Sequence, residues 1–169
     1  IHSAIIDETL LKSVWTCIEN VFPGVPWLGN STSGNIHNCD LAPEISVTAT
    51  IFEKPSTKFK IYQYDFKSTS VDRITQSIVA DAESNPWVKA IEMHHTITEF
   101  STSMFCDGMV GLRPEIQMFG GIVCSTDITS PDSCVFSSVG GFNPNGLLVM
   151  FYGGEDFYVE STKISGWKP

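Results

Sequence analysis

Basic residues are scarce in this chain: ten Lys and Arg stand against 19 Asp and Glu, for a formal net charge of −9. Nucleic-acid phosphates demand clustered cations, so a nucleic-acid partner is excluded. An anionic membrane surface is disfavoured on the same ground. Metal-ligand spacings are missing too, since no Cys-x-x-Cys, His-x-His or His-Glu-x-x-His occurs. The adjacent His94 and His95 sit on an expected strand, where neighbours face opposite ways and do not share an ion. There is no Gly-x-Ser-x-Gly elbow. Gly120-Gly121 and Gly140-Gly141 lack the context of a phosphate loop. Glu155-Asp156 are adjacent and diverge, so they do not make an acid–base pair. No apolar run approaches the ~20 residues of a membrane span. These absences lead to the expectation of a protein without metal or cofactor that binds rather than catalyses.

The 169 residues suit one domain, 1–169, large enough to bury a core without disulfides. Hydrophobic residues make up 42% and charged residues 17%, a globular composition. Five cysteines are present: Cys17, Cys39, Cys106, Cys124 and Cys134. Asn30-Ser31-Thr32 is an N-glycosylation sequon. Sequon, cysteines and low lysine content together suggest a secreted, extracellular protein with disulfides. The chain opens on Ile1 without a signal peptide, which suggests a mature form or a domain excised from a longer secreted protein.

Apolar spacing predicts a helix from Asp7 to about Phe22, with Leu10, Leu11, Val14, Trp15, Ile18 and Phe22 as its stripe and Asp7 as its cap. Residues 23–44 are full of Pro, Gly and Asn and read as a long loop. Alternation predicts a strand from Glu44 to Phe52, paired as a hairpin with Phe59 to Phe66. A second helix follows Ser70, with Val71, Ile74, Ile78 and Ala82 on one stripe. Cys106-Asp107-Gly108 reads as a turn. Further strands are expected at 87–100, 109–123, 135–139 and 147–152, with 157–161 closing a last hairpin. Seven to nine strands and two helices make this a mainly β chain, a β-sandwich with peripheral helices.

Charge is unevenly spread. Residues 90–162 hold nine acids and one base, Arg113, a net of −8. Such asymmetry suits a face that steers a basic protein partner. The expected contact residues are Glu92, His94 and Thr96 (with Thr98) on the long strand, Glu115, and Asp156, Tyr158 and Glu160 on the last. Tyrosine offers contact area at low entropy cost, and carboxylates accept bidentate Arg.

Three stretches carry a family likeness: Leu11-Lys-Ser-Val-Trp-Thr-Cys17, Asn20-Val-Phe-Pro-Gly-Val-Pro-Trp-Leu-Gly29 and Tyr152-Gly-Gly-Glu-Asp-Phe-Tyr-Val. With them the chain resembles the SECRET domain, the C-terminal chemokine-binding module of poxvirus decoy tumour-necrosis-factor receptors of the cytokine response modifier D or B type. The likeness implies a β-sandwich related to the poxvirus secreted CC-chemokine inhibitor. It also implies sequestration of host chemokines and blocked chemotaxis, with any tumour-necrosis-factor ligand bound only by an absent N-terminal domain. No long acidic loop like that of the secreted inhibitor occurs, which favours a sheet face as the contact. The rival readings are a secreted hydrolase using His94 or His95, and a carbohydrate- or lipid-binding sandwich with Trp27, Trp87 or Trp167 in a pocket.

Overall fold

The computed structural model describes residues 1–37, 40–42, 44–97, 101–127 and 130–162. Cys39, Thr98 and Trp167 lie outside them.

Helix α1 spans Glu8–Val21, and Asp7 caps it, its carboxylate accepting the Leu10 N–H at 2.8 Å. Phe22 closes it by donating to Ile18 O, and Pro23 then bars continuation. Of the expected stripe Leu11 is fully buried, while Leu10 and Phe22 stay exposed. Helix α2 spans Val71–Glu83, with Val71, Ile74, Ile78 and Ala82 all buried. A third helix, α3, spans Thr102–Gly108, so Cys106-Asp107-Gly108 is a helix end rather than a turn.

Two sheets face each other. The first has the order β10-β9-β2-β1-β5, built from β1 His2–Ser3, β2 Leu28–Ser31, β5 Ile45–Ser46, β9 Val135–Ser137 and β10 Gly141–Asn143. The second has the order β6-β11-β7-β8, built from β6 Lys58–Asp65, β7 Val88–His95, β8 Gln117–Ile122 and β11 Gly146–Gly153. A small ribbon pairs β3 Asn35–His37 with β4 Asp40–Ala42. β7 and β8 are parallel neighbours, which requires a crossover; the segment containing α3 supplies it.

The buried clusters show the layering. Leu11, Trp27, Cys134 and Phe136 pack α1 onto the first sheet. Ile61, Val123, Val135 and Leu148 fill the space between the sheets, with Leu28 and Met150 beside them. Ile91, Leu147, Val149 and Phe151 meet Ile74, Ile78, Phe105 and Met109 beneath α2 and α3. The fold is therefore mainly β, a two-sheet sandwich of nine strands with helices outside both faces. Strand β11 lies at its centre, apolar on both sides, which is why residues 147–151 read as a continuous hydrophobic run.

Local pattern misplaced several elements. The expected loop 23–44 contains β2, a middle strand of the first sheet. Its Gly29 lies so close to the Phe136 ring that any Cβ there would overlap it. The alternating segment 44–52 pairs only at Ile45–Ser46; Val47 is 55% and Ile51 87% exposed. β6 pairs with β11 and not with that segment, so the expected hairpin does not form. Residues 157–161 are likewise not a strand. Alternation records only that one face is apolar; a strand forms only where a neighbour supplies the hydrogen bonds.

The four described cysteines, Cys17, Cys106, Cys124 and Cys134, are free thiols, which corrects the disulfide expectation. The cysteines thus lend no support to an oxidising compartment. Among the described residues no helix is long and apolar enough to cross a membrane.

Candidate functional site

At the edge where the two sheets meet, five side chains form one hydrogen-bonded chain. His2 Nδ1 lies 2.7 Å from Asn30 Oδ1, and Asn30 Nδ2 lies 3.1 Å from His94 Nδ1. His94 Nε2 lies 2.8 Å from Glu92 Oε1, and the Tyr152 hydroxyl donates to Glu92 Oε2. Both sheets contribute: β1 and β2 carry His2 and Asn30, while β7 and β11 carry the others. Register explains the second group, because Glu92 opposes Met150 and His94 opposes Leu148, placing Glu92, His94 and Tyr152 on the face turned toward the first sheet.

The donors and acceptors fix the protonation pattern. The Asn30 amide N–H donates, so His94 Nδ1 accepts and its Nε2–H donates to Glu92. Asn30 Oδ1 then accepts from His2 Nδ1–H. Glu92 is pulled two ways: burial raises its pKa, but the hydrogen bonds from His94 and Tyr152 and the nearby imidazoles outweigh it and hold the carboxylate below its ordinary value. Tyr152 is shifted far upward by burial, by donating to Glu92 and by the charge of Glu92. It stays a phenol.

A cavity of about 250 Å³ opens beside this chain. Its polar wall holds His2, Asn30, Ser31, Thr32 and His94, and its other wall runs from Gly121 through Ile122 and Val123 to Cys124. Among the described residues no Lys, Arg, Asp or Glu lines it. A Cβ added to Gly121 would meet nothing within 4 Å. Among the described residues no three His, Cys, Asp or Glu side chains gather as a metal site.

The expected contact residues do not share a face. Glu92 and His94 are half-buried in the chain just described. Thr96 is fully buried, its hydroxyl accepting the Gly146 N–H at 3.0 Å. Glu115 is exposed beside Arg113, with Oε1 3.3 Å from Nε. Asp156, Tyr158 and Glu160 lie exposed on an irregular segment, where Asp156 accepts from Ser56 Oγ at 2.8 Å. The continuous acidic sheet face is thus corrected, because residues 157–161 never join the sheet that holds β7. Asn30 is corrected as well. It is 5% exposed with both ends of its amide engaged, so a glycan has no room there.

His95 turns away from His94 and lies under α3 against Phe105. Its Nδ1–H donates to Thr96 O at 2.9 Å, and Thr102 Oγ1 lies 3.3 Å from Nε2. Sequence reasoning missed His2, Asn30 and Tyr152 as partners of Glu92 and His94. They lie 28 to 64 residues apart along the bonded chain, and only the pairing of strands brings them together.

The family model of the FIST N domain matches residues 4–169. No curated protein and no solved structure matches. The match overturns the resemblance to the poxvirus SECRET domain, and with it chemokine sequestration and the decoy-receptor connection; it lends no support to the hydrolase and carbohydrate-binding rivals. The three stretches behind that resemblance are fold-forming: a capped helix, a Pro- and Gly-rich passage into β2, and the end of β11.

Proposed function

The chain belongs to the FIST N-domain family, a domain type associated with signal transduction, and from that premise we propose that it is a sensory module whose inter-sheet cavity takes a small polar molecule. The observation that carries this reading is the five-residue chain at the cavity wall, which spans both sheets. A ligand seated against His2, Asn30 and His94 touches the first and second sheets at once and changes how they are held together. Ligand pockets usually measure about 300–1,000 Å³, so a cavity of about 250 Å³ suits a compact metabolite. Its lining favours an uncharged molecule with hydrogen-bonding groups on one side and an apolar edge toward Ile122 and Val123.

Binding rather than catalysis is supported by His94. Asn30 and Glu92 engage both of its ring nitrogens, which leaves neither to take a proton from a nucleophile. A screen of small polar metabolites by amide NMR tests the reading. Hits are expected to move Asn30, His94 and Gly121 together, and Gly121→Val, whose side chain projects into the cavity, is expected to abolish them. Hits that map elsewhere, or that survive Gly121→Val unchanged, would remove the cavity from consideration.

A further inference from the structure

We propose that the Asn30 side chain is a proton-operated switch: it makes His2 and His94 share one added proton between them, and its amide turns over when His94 takes it. Asn30 lies between the two imidazoles, with Oδ1 2.7 Å from His2 Nδ1 and Nδ2 3.1 Å from His94 Nδ1. An amide has one accepting end and one donating end. With the Asn30 N–H directed at His94 Nδ1, that nitrogen must accept, so His94 is neutral. An imidazolium carries N–H on both nitrogens, and its Nδ1–H would point at the amide N–H. Half a turn of the amide removes the conflict. Oδ1 then accepts from His94 Nδ1–H, and Nδ2 donates to His2 Nδ1. His2 releases its Nδ1 proton to solvent and takes one on Nε2 instead. The chain of side chains gains one proton in total, and every bond in it is remade. Asn30 is 5% exposed, but the cavity beside it gives the amide room to turn.

Charge decides where the proton goes. His94 Nε2 lies 2.8 Å from the Glu92 carboxylate, whereas no described carboxylate lies within bonding distance of His2. The carboxylate favours the charged form of its neighbour. The other titratable groups around His94 do not replace it. Tyr152 on β11 stays a phenol. The Ile1 amine on the first sheet has its pKa lowered to about 6 by burial, with Glu92 opposing, but it donates to Leu28 O and not to Asn30. Cys124 lines the other wall of the cavity, and His95 turns to the opposite face of β7.

The turn also reverses part of the cavity wall. His2 Nε2 has no partner among the described residues. It is an acceptor while Asn30 accepts from Nδ1–H, and it becomes a donor once His94 is charged. This consequence rests on the sensory reading above: acid then disfavours a ligand that donates to His2 and favours one that accepts from it.

Nitrogen NMR of the imidazoles and of the Asn30 side-chain amide, in the ligand-free protein from about pH 8 to about pH 5, tests the switch. At the upper end His94 is expected as the Nε2–H tautomer and His2 as the Nδ1–H tautomer. On acidification His94 is expected to become an imidazolium while His2 passes to the Nε2–H tautomer, and the Asn30 amide signals are expected to shift in the same step. Asn30→Asp offers an acceptor to both rings and is expected to let both charge. Both rings charging together in the unaltered protein, or His94 charging while His2 keeps its Nδ1 proton, would overturn the proposal. So would a folded Asn30→Asp protein in which only one ring charges; if that variant does not fold, the tautomers of the unaltered protein decide alone. Gly121→Val fills the cavity and is expected to leave the tautomer exchange intact. Loss of ligand binding with the exchange retained counts against the sensory reading, and loss of the exchange with ligand binding retained counts against the switch.

Discussion

The Tyr152 hydroxyl donates to the Glu92 carboxylate across adjacent antiparallel strands, as a diagonal pair on the face between the sheets. Glu92 meets His94 with its other oxygen, so one carboxylate ties β7 to β11 and, through Asn30, to the first sheet. Glu92→Ala leaves a phenol and an imidazole without their acceptor, at about 1–3 kcal/mol for each group so stranded. Tyr152→Phe removes a single donor to a charged group, about 1.5–3 kcal/mol. Denaturant unfolding of both variants and of the double is expected to show clear non-additivity, since the residues share one network. Additive losses would mean that the chain of bonds does not act as a unit.

Glu92 also sets an acid limit. Its folded pKa lies below the ordinary value of 4.5, so the unfolded chain binds the proton first. The stabilisation is fully present above about pH 4.5 and is lost as pH falls through the lower folded value. Glu92→Gln is expected to flatten this part of the stability profile. Unchanged acid sensitivity in that variant would place the titrating group elsewhere.

His95 acts at higher pH and with the opposite charge type. Burial chiefly lowers its pKa from the ordinary 6.5, with His94 adding to the effect and the Thr96 carbonyl opposing it. Its neutral form is the one that fits: Nδ1–H donates to Thr96, and Nε2 is free to accept from Thr102. Between the lowered value and 6.5 the unfolded chain again holds more protons. Stability is therefore complete above about pH 6.5, falls as pH drops below it, and stops falling once the folded histidine also charges. Thermal unfolding of His95→Gln is expected to lack this step.

The cysteines differ in reactivity by burial. Cys17 and Cys106 are exposed, whereas burial pushes the Cys134 thiol up to about 12 despite opposing hydrogen bonds from Ser31. Native alkylation followed by peptide mass spectrometry is expected to label Cys17 and Cys106 and spare Cys134 until denaturant is added. A bridge among the four described cysteines in the untreated protein would contradict the free thiols.

Elements with strong local signals were legible in the sequence. The Asp7 cap, the Val71-Ile74-Ile78-Ala82 stripe and the apolar run of β11 each place an element from neighbouring residues alone, and together they give the mainly β sandwich. Strands whose identity depends on a distant neighbour were not legible. β2 contains Gly29 and follows two prolines, yet it is held as a strand between β1 and β9, with Phe136 filling the space a side chain would need. The alternating stretch 47–52 has a strand's pattern but pairs with no strand among the described residues. The site shares this dependence: Asn30 has a sequon's sequence, and its burial between two histidines appears only when the sheets close.

The sequence by itself determined the acidic balance, the helix faces and the presence of a two-sheet core, because these follow from composition and from periods of two and 3.6 residues. The tertiary structure alone decided which strands pair, which carboxylates meet, and that His2, Asn30, His94, Glu92 and Tyr152 form one chain beside a cavity. Hydrogen bonds between residues far apart along the chain have no local signature, since their geometry is set by the register and packing of whole sheets.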